Sequence, residues 1–248
     1  CQNLVFTELS DEPLIPIYNA EQLQDINKDE KSLSGNYVLM NDIDMSEVTD
    51  FIPIGTDSSF SGIFDGNNKT ISGLIINRGT ENYVGLFSKA SGDAVIRNLK
   101  LENVVITGYQ NAGGLVGTTW EAVTISNCAV NATITIEAHN AGGLVGENLG
   151  TLIVNENSFS TGIVQSTAGS KVGGLVGVNG LTVPAQLTIL NSYSESIINA
   201  LSEAGGLVGG NNATGTLTIT SSYHKTGNVT SQSNNAGGLV GMNAGDST

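Results

Sequence analysis

The residues of this chain with catalytic or metal-binding potential are few and far apart. It has two histidines, His139 and His224. A zinc peptidase needs His-Glu-x-x-His on a helix, so that two imidazoles hold the metal and the glutamate activates water. Neither histidine is followed by glutamate, and both fall near turns of different repeats, so they read as exposed turn residues. Glycoside hydrolysis needs two carboxyl groups roughly 5–10 Å apart. Glu102, Glu121, Glu137, Glu147, Glu156, Glu195 and Glu203 occupy different repeat positions and form no evident pair. A polysaccharide lyase would want basic residues beside a uronate, but from Leu101 onward only Lys171 and Lys225 are basic. Asp42, Asp44 and Asp65 cluster better in sequence, as candidate calcium ligands or as turn carboxylates bonded to nearby amides. No phosphate loop or dinucleotide fingerprint is found. The expectation is a protein with no catalytic residues and no required cofactor, calcium being the one candidate.

The two cysteines call for different readings. Cys128 takes a place where other repeats carry Ser158, Ser192 and Ser222, so it reads as a small, at least half-buried residue without a disulfide partner. Cys1 stands where a processed bacterial lipoprotein carries its acylated cysteine, which makes it the candidate lipid anchor. No apolar run approaches the roughly 20 residues that span a bilayer.

What must position any site is a repeat. Ala112-Gly113-Gly114-Leu115-Val116-Gly117 recurs at 141–146, 172–177, 204–209 and 236–241. The first glycines, 113, 142, 173, 205 and 237, are spaced by 29, 31, 32 and 32 residues. A degenerate copy, Val84-Gly85-Leu86-Phe87, precedes them. Between the motifs, alternating runs such as Leu187-Thr188-Ile189 lead to Asn127-Cys128-Ala129, Asn157-Ser158-Phe159, Asn191-Ser192-Tyr193 and Ser221-Ser222-Tyr223. Three short strands per period, separated by Gly, Asn and Ser turns, predict an all-β parallel β-helix of about six ~30-residue coils. Leu115, Leu144, Leu175, Leu207 and Leu239 should form one inward column, with Phe159, Tyr193 and Tyr223 stacked along the axis. The paired glycines should permit positive φ and close approach of neighbouring coils.

Residues 1–83 differ. Asn19, with Gln22 three positions on and Leu23 and Ile26 on one face, predicts a short helix near 19–28. Most of the charge lies in this part, which reads as a polar cap continuous with the coils of 84–248. Net charge is −14, from 23 acidic and 9 basic residues, so nucleic acid is excluded as a partner. Polar residues two before each glycine pair, Asn111, Asn140, Lys171, Glu203 and Asn235, form a candidate exposed ladder. An uncovered last coil would offer a strand edge for self-association.

These residues resemble the GLUG-motif family of bacterial surface proteins, whose Gly-Leu-hydrophobic-Gly signature is Gly114-Leu115-Val116-Gly117 here. The upstream block is similar too: Ala20-Glu21-Gln22-Leu23, Gly35-Asn36-Tyr37-Val38-Leu39, Asp42-Ile43-Asp44, Pro53-Ile54-Gly55 and Phe60-Ser61-Gly62-Ile63-Phe64-Asp65-Gly66. The resemblance covers residues 17–245 and implies a right-handed helix and an extracellular, outer-membrane location, lipid-anchored if Cys1 is the processed first residue. It also implies an adhesin or a non-catalytic region of immunoglobulin A metallopeptidases. The functional expectation is therefore an adhesion module with a host protein or glycan as partner. A purely structural spacer is the first alternative, and a polysaccharide-active enzyme with its site in the cap is the second.

Overall fold

Runs rich in Val, Ile and Thr form strands because their branched side chains pack well on a pleated surface, and each strand here finds its partner one period away. The computed structural model describes residues 13–248. It is an all-β parallel solenoid of about seven turns, with one long sheet of 21 strands and a second of six. The turn from Leu115 onward shows the plan. Val116–Thr119 lies in the six-stranded sheet, Ala122–Ser126 and Ala129–Ile136 follow in the long sheet, and Ala141–Gly142 closes the turn. All pairings are parallel and hold the repeat in register: Ile96 meets Ile125, Ile125 meets Val154, and Val145 sits between Val116 and Val176. The stack starts earlier than the glycine motifs, since Ile15–Ile17 pairs with Tyr37–Leu39 and Tyr37 with Phe64.

Near the N-terminus, Ala20–Gln24 is helical, followed by a 3-10 turn at Asp25–Asn27 and a second short helix at Glu30–Leu33. Asn19 caps the first helix by accepting from the Gln22 amide, while the Gln22 side chain accepts from the Tyr18 amide, a reciprocal cap close to the one expected. Leu23, Ile26 and Leu33 carry this segment's apolar side chains into the core.

Leu115, Leu144, Leu175 and Leu207 are fully buried in one column, each contributing roughly 1.5–3 kcal/mol. Leu239, the fifth, is 41% exposed, on the last of the described turns. Phe159, Tyr193 and Tyr223 stack with near-parallel rings at 4.8 and 5.3 Å, on the outer side of the long sheet.

The glycine pairs act differently from expectation. None of them has positive φ. The left-handed corners are filled mainly by asparagine, at Asn98, Asn127, Asn157 and Asn191 in one column and at Tyr83, Asn111, Asn140 and Lys171 in another. Asparagine tolerates this region because its short amide bonds locally. The glycines serve close approach alone. A methyl group at Gly142 would run into the Val145 carbonyl, and one at Gly146 would lie 2.5 Å from the Asn111 carbonyl carbon.

Candidate functional site

That close approach buries the four central strands of the six-stranded sheet on both faces. Every residue of Val116–Thr119, Val145–Asn148, Val176–Asn179 and Val208–Asn211 is buried, the inner side by the core and the outer side by the left-handed corner column. The position after the motif's last glycine points to that outer side in successive turns and reads Thr118, Glu147, Val178, Gly210 and Met242. Four are neutral. Glu147 is a carboxylate, only 4% exposed.

Glu147 forms part of the floor of an open groove of about 390 Å³. Its Oε2 accepts from Asn111 Nδ2 at 2.9 Å, and Asn111 Oδ1 accepts from Asn140 Nδ2 at 2.7 Å. Asn140 Oδ1 then has no hydrogen-bond partner, nor has the buried hydroxyl of Thr118, the register neighbour of Glu147. Removal from water pushes the Glu147 carboxyl up to about 7, because burial disfavours the charged form. On the rim, Lys171 Nζ pairs with Glu203 Oε2 at 3.1 Å, and His139 Nδ1 accepts from the Ser170 amide at 3.1 Å. That bond leaves the imidazole proton on Nε2 in the neutral ring. Trp120, the chain's single tryptophan, flanks the groove with Leu149 and Leu181. Trp120 and Leu149 also wall an adjoining groove of about 510 Å³ that continues past Pro184 and Gln186.

This corrects the ladder read from sequence as exposed. Asn111 and Asn140 are buried at 4% and 2%, Lys171 and Glu203 are half-buried as an ion pair, and only Asn235 is exposed. The reason is the glycine after Leu-Val, which lets the next strand press on these corners. His139 is exposed, as expected, but His224 is half-buried. It takes an inward column above Ser194, with its Nε2 3.0 Å from the Gly227 carbonyl oxygen.

The three aspartates meet local donors. Asp42 accepts from the Thr70 amide at 2.8 Å and Asp44 from the Ser46 amide at 2.9 Å, a bond that lowers the Asp44 pKa. Asp65 accepts from Arg97 Nε at 2.8 Å, Asn98 Nδ2 at 3.1 Å and the Asn67 amide at 2.8 Å. Among the described residues no three His, Cys, Asp or Glu side chains come together to hold a metal. Cys128 is buried, and Cys1 lies outside the described residues. No helix among the described residues is long and apolar enough to cross a membrane.

Sequence reasoning missed Trp120 and the role of Glu147. Two signals were available: the lone carboxylate in the column Lys89, Thr118, Glu147, Val178, Gly210, Met242, and the longer connection 180–184 that supplies Leu181 and Pro184.

No protein-family model matches the chain. A stretch of 106 residues is 37% identical to halomucin of Haloquadratum walsbyi, covering 39% of this chain and 1% of that protein. Another of 88 residues is 36% identical to a protein of Evansella cellulosilytica named as a candidate Gly-rich membrane protein, covering 33% of this chain and 10% of that one. The chain thus spans at most a tenth of these curated relatives. Among solved structures it is similar to a Bacteroides ovatus protein named as a candidate immunoglobulin A1 protease, with TM-score 0.59 and 17% identity over 96% of this chain and 85% of that one. At that identity the likeness shows the fold.

Proposed function

We propose that this chain is a non-catalytic binding module of a bacterial cell-surface protein, and that it holds a glycan in the groove above Glu147. The observation that carries the reading is the buried Glu147 carboxylate, tied to the Asn111 amide beneath the exposed edge of Trp120. Burying a carboxylate costs stability, and the neutral residues at Thr118, Val178 and Gly210, with a half-buried lysine at Lys89, indicate that the stack needs no buried carboxylate there. Polar groups on the floor of an open groove with an aromatic flank suit a polyhydroxylated ligand. Binding is favoured over hydrolysis because Glu147 is the sole carboxylate lining this groove, whereas glycosidases use two.

Surface location is supported by the relatives' names, halomucin and a candidate membrane protein, and by the resemblance of the glycine motifs to bacterial surface repeats. Attachment through an acylated Cys1 fits that placement. A spacer without a ligand is the competing reading, favoured by the regular ladder of buried amides at Asn148, Asn179 and Asn211. A glycan array probed with the intact chain separates the two. Binding that is lost in Trp120→Ala is expected, and an array blank for the folded chain would leave the spacer reading standing.

A further inference from the structure

Resting on the binding-module reading, the groove also specifies the class of its ligand. We propose that it takes a neutral sugar, with one hydroxyl donating to Glu147, an adjacent hydroxyl accepting from the Asn111 amide, and the ring's C–H face against Trp120.

The polar atoms on the floor are arranged for a hydroxyl pair. Glu147 uses one carboxylate oxygen to accept from Asn111, which leaves acceptor capacity on the carboxylate and a second amide hydrogen on Asn111. A diol needs such an adjacent acceptor and donor, held rigidly. Rigidity comes from burial, since Asn111, Asn140 and Glu147 are each at most 4% exposed. Asn140 Oδ1 is a further buried acceptor that no protein group satisfies, the state in which a site awaiting a donor is left. Trp120 and Leu181, each 38% exposed, offer apolar surface on the flank.

Charge selects a neutral ligand. The chain carries −14 and the floor a carboxylate, so a uronate, sialate or sulfate is repelled. A cationic amine would meet the like charge of Lys171 in the same lining, and the nearby carboxylate of Glu203 is already taken by that lysine. The adjoining groove beyond Trp120 gives room for a second residue of an oligosaccharide.

The test uses Trp120, whose fluorescence is a built-in reporter because the chain has no other tryptophan. The intact chain is titrated at millimolar concentrations with methyl glycosides of glucose, galactose, mannose and fucose, and with N-acetylneuraminic acid and glucosamine as charged probes. A saturable change with a neutral glycoside is expected. Because a hydroxyl donates to the ionised carboxylate, affinity should fall roughly tenfold between pH 8 and pH 6, where Glu147 gains its proton. The other titratable groups lining the groove are Tyr83, His139 and Lys171. Glu147→Gln should weaken binding at least tenfold and abolish the pH slope, whereas His139→Gln should keep the pH slope. Far-ultraviolet circular dichroism establishes that each variant is folded. Saturation by the charged probes alone overturns the neutral-sugar inference and leaves the binding-module reading intact. Silence of Trp120 toward every probe, with a positive glycan array, moves the ligand away from this groove and overturns the inference and the groove assignment, while the binding-module reading stands. If the array is blank as well, both fail.

Discussion

Two columns of buried side-chain amides run along this solenoid, and they differ in one respect. The first follows the motif: Thr119 Oγ donates to Asn148, Asn148 to Asn179, Asn179 to Asn211 and Asn211 to Asn243, at 2.7–2.8 Å. The spare amide hydrogens of Asn148, Asn179 and Asn211 go to the carbonyls of Gln186, Thr216 and Asp246. Each amide repeats the one before it, and none of the three lacks a partner. The second column, Asn111 and Asn140, has a single amide link. It then hands over to Lys171, hooks sideways onto Glu147 and leaves Asn140 Oδ1 unpaired. Repetition with full satisfaction is what a load along the rod requires. A break in repetition, with unmet polar atoms beside a groove, is what a site requires.

The comparison breaks if the closed column proves dispensable. Asn179→Leu removes bonds to Asn148, Asn211 and the Thr216 carbonyl and strands their buried partners, each at a cost of about 1–3 kcal/mol. We expect a loss of about 3–5 kcal/mol in urea unfolding. A loss below about 1 kcal/mol would show that the column is decorative.

The next effect belongs to Glu147. Its carboxyl has a folded pKa of about 7 against an ordinary value of 4.5, so folding favours the protonated form. The stability this contributes is fully present below pH 4.5 and is lost as pH rises through 7. A gap of that size corresponds to roughly 3 kcal/mol at most. Glu147→Gln should therefore match the parent at pH 4 and exceed it by about 2–3 kcal/mol at pH 8. Equal stability at both pH values would mean that the carboxylate is well solvated. Asn140→Gly should cost only about 1 kcal/mol, because it removes one side-chain bond and glycine accepts the φ of +70° found there. A cost equal to that of Asn179→Leu would erase the distinction between the columns.

How much of this was legible in the sequence follows the same division. Whatever repeats could be read: the strands, the leucine column, the stacked aromatics at Phe159, Tyr193 and Tyr223, and the exchange of Cys128 with serines. Even so, the asparagines at 148, 179, 211 and 243 recur in plain sight and escaped notice, because a polar residue after a glycine reads as a turn. Their burial depends on two strands closing over them, a tertiary fact. The corners at Asn111 and Asn140 looked exposed for the same reason. The paired glycines suggest a φ freedom that asparagine supplies instead, and it is the glycine after Leu-Val that lets the next strand press on these corners. Glu147 was visible as a carboxylate, but its weight comes from its neighbours along the column. Only alignment of the repeats position by position sets it against Thr118, Val178 and Gly210.

The smallest effect is expected where repetition makes residues interchangeable. Cys128 occupies a place that Ser158, Ser192 and Ser222 fill in later turns, and its backbone amide donates to Ser158 Oγ at 3.2 Å. Its thiol donates to the carbonyls of Ile96 and Ser126, which a hydroxyl could also reach. Cys128→Ser should thus change stability by less than about 1 kcal/mol, far below a typical buried polar substitution. Burial, first of all, pushes the Cys128 thiol up to about 12, so at pH 8 it stays protonated. The thiolate is the reactive form, and the folded chain should leave Cys128 unlabelled by a thiol reagent until urea exposes it. Rapid labelling at the same pH without denaturant would show that this turn opens. The periodic interior would then be looser than the groove it supports.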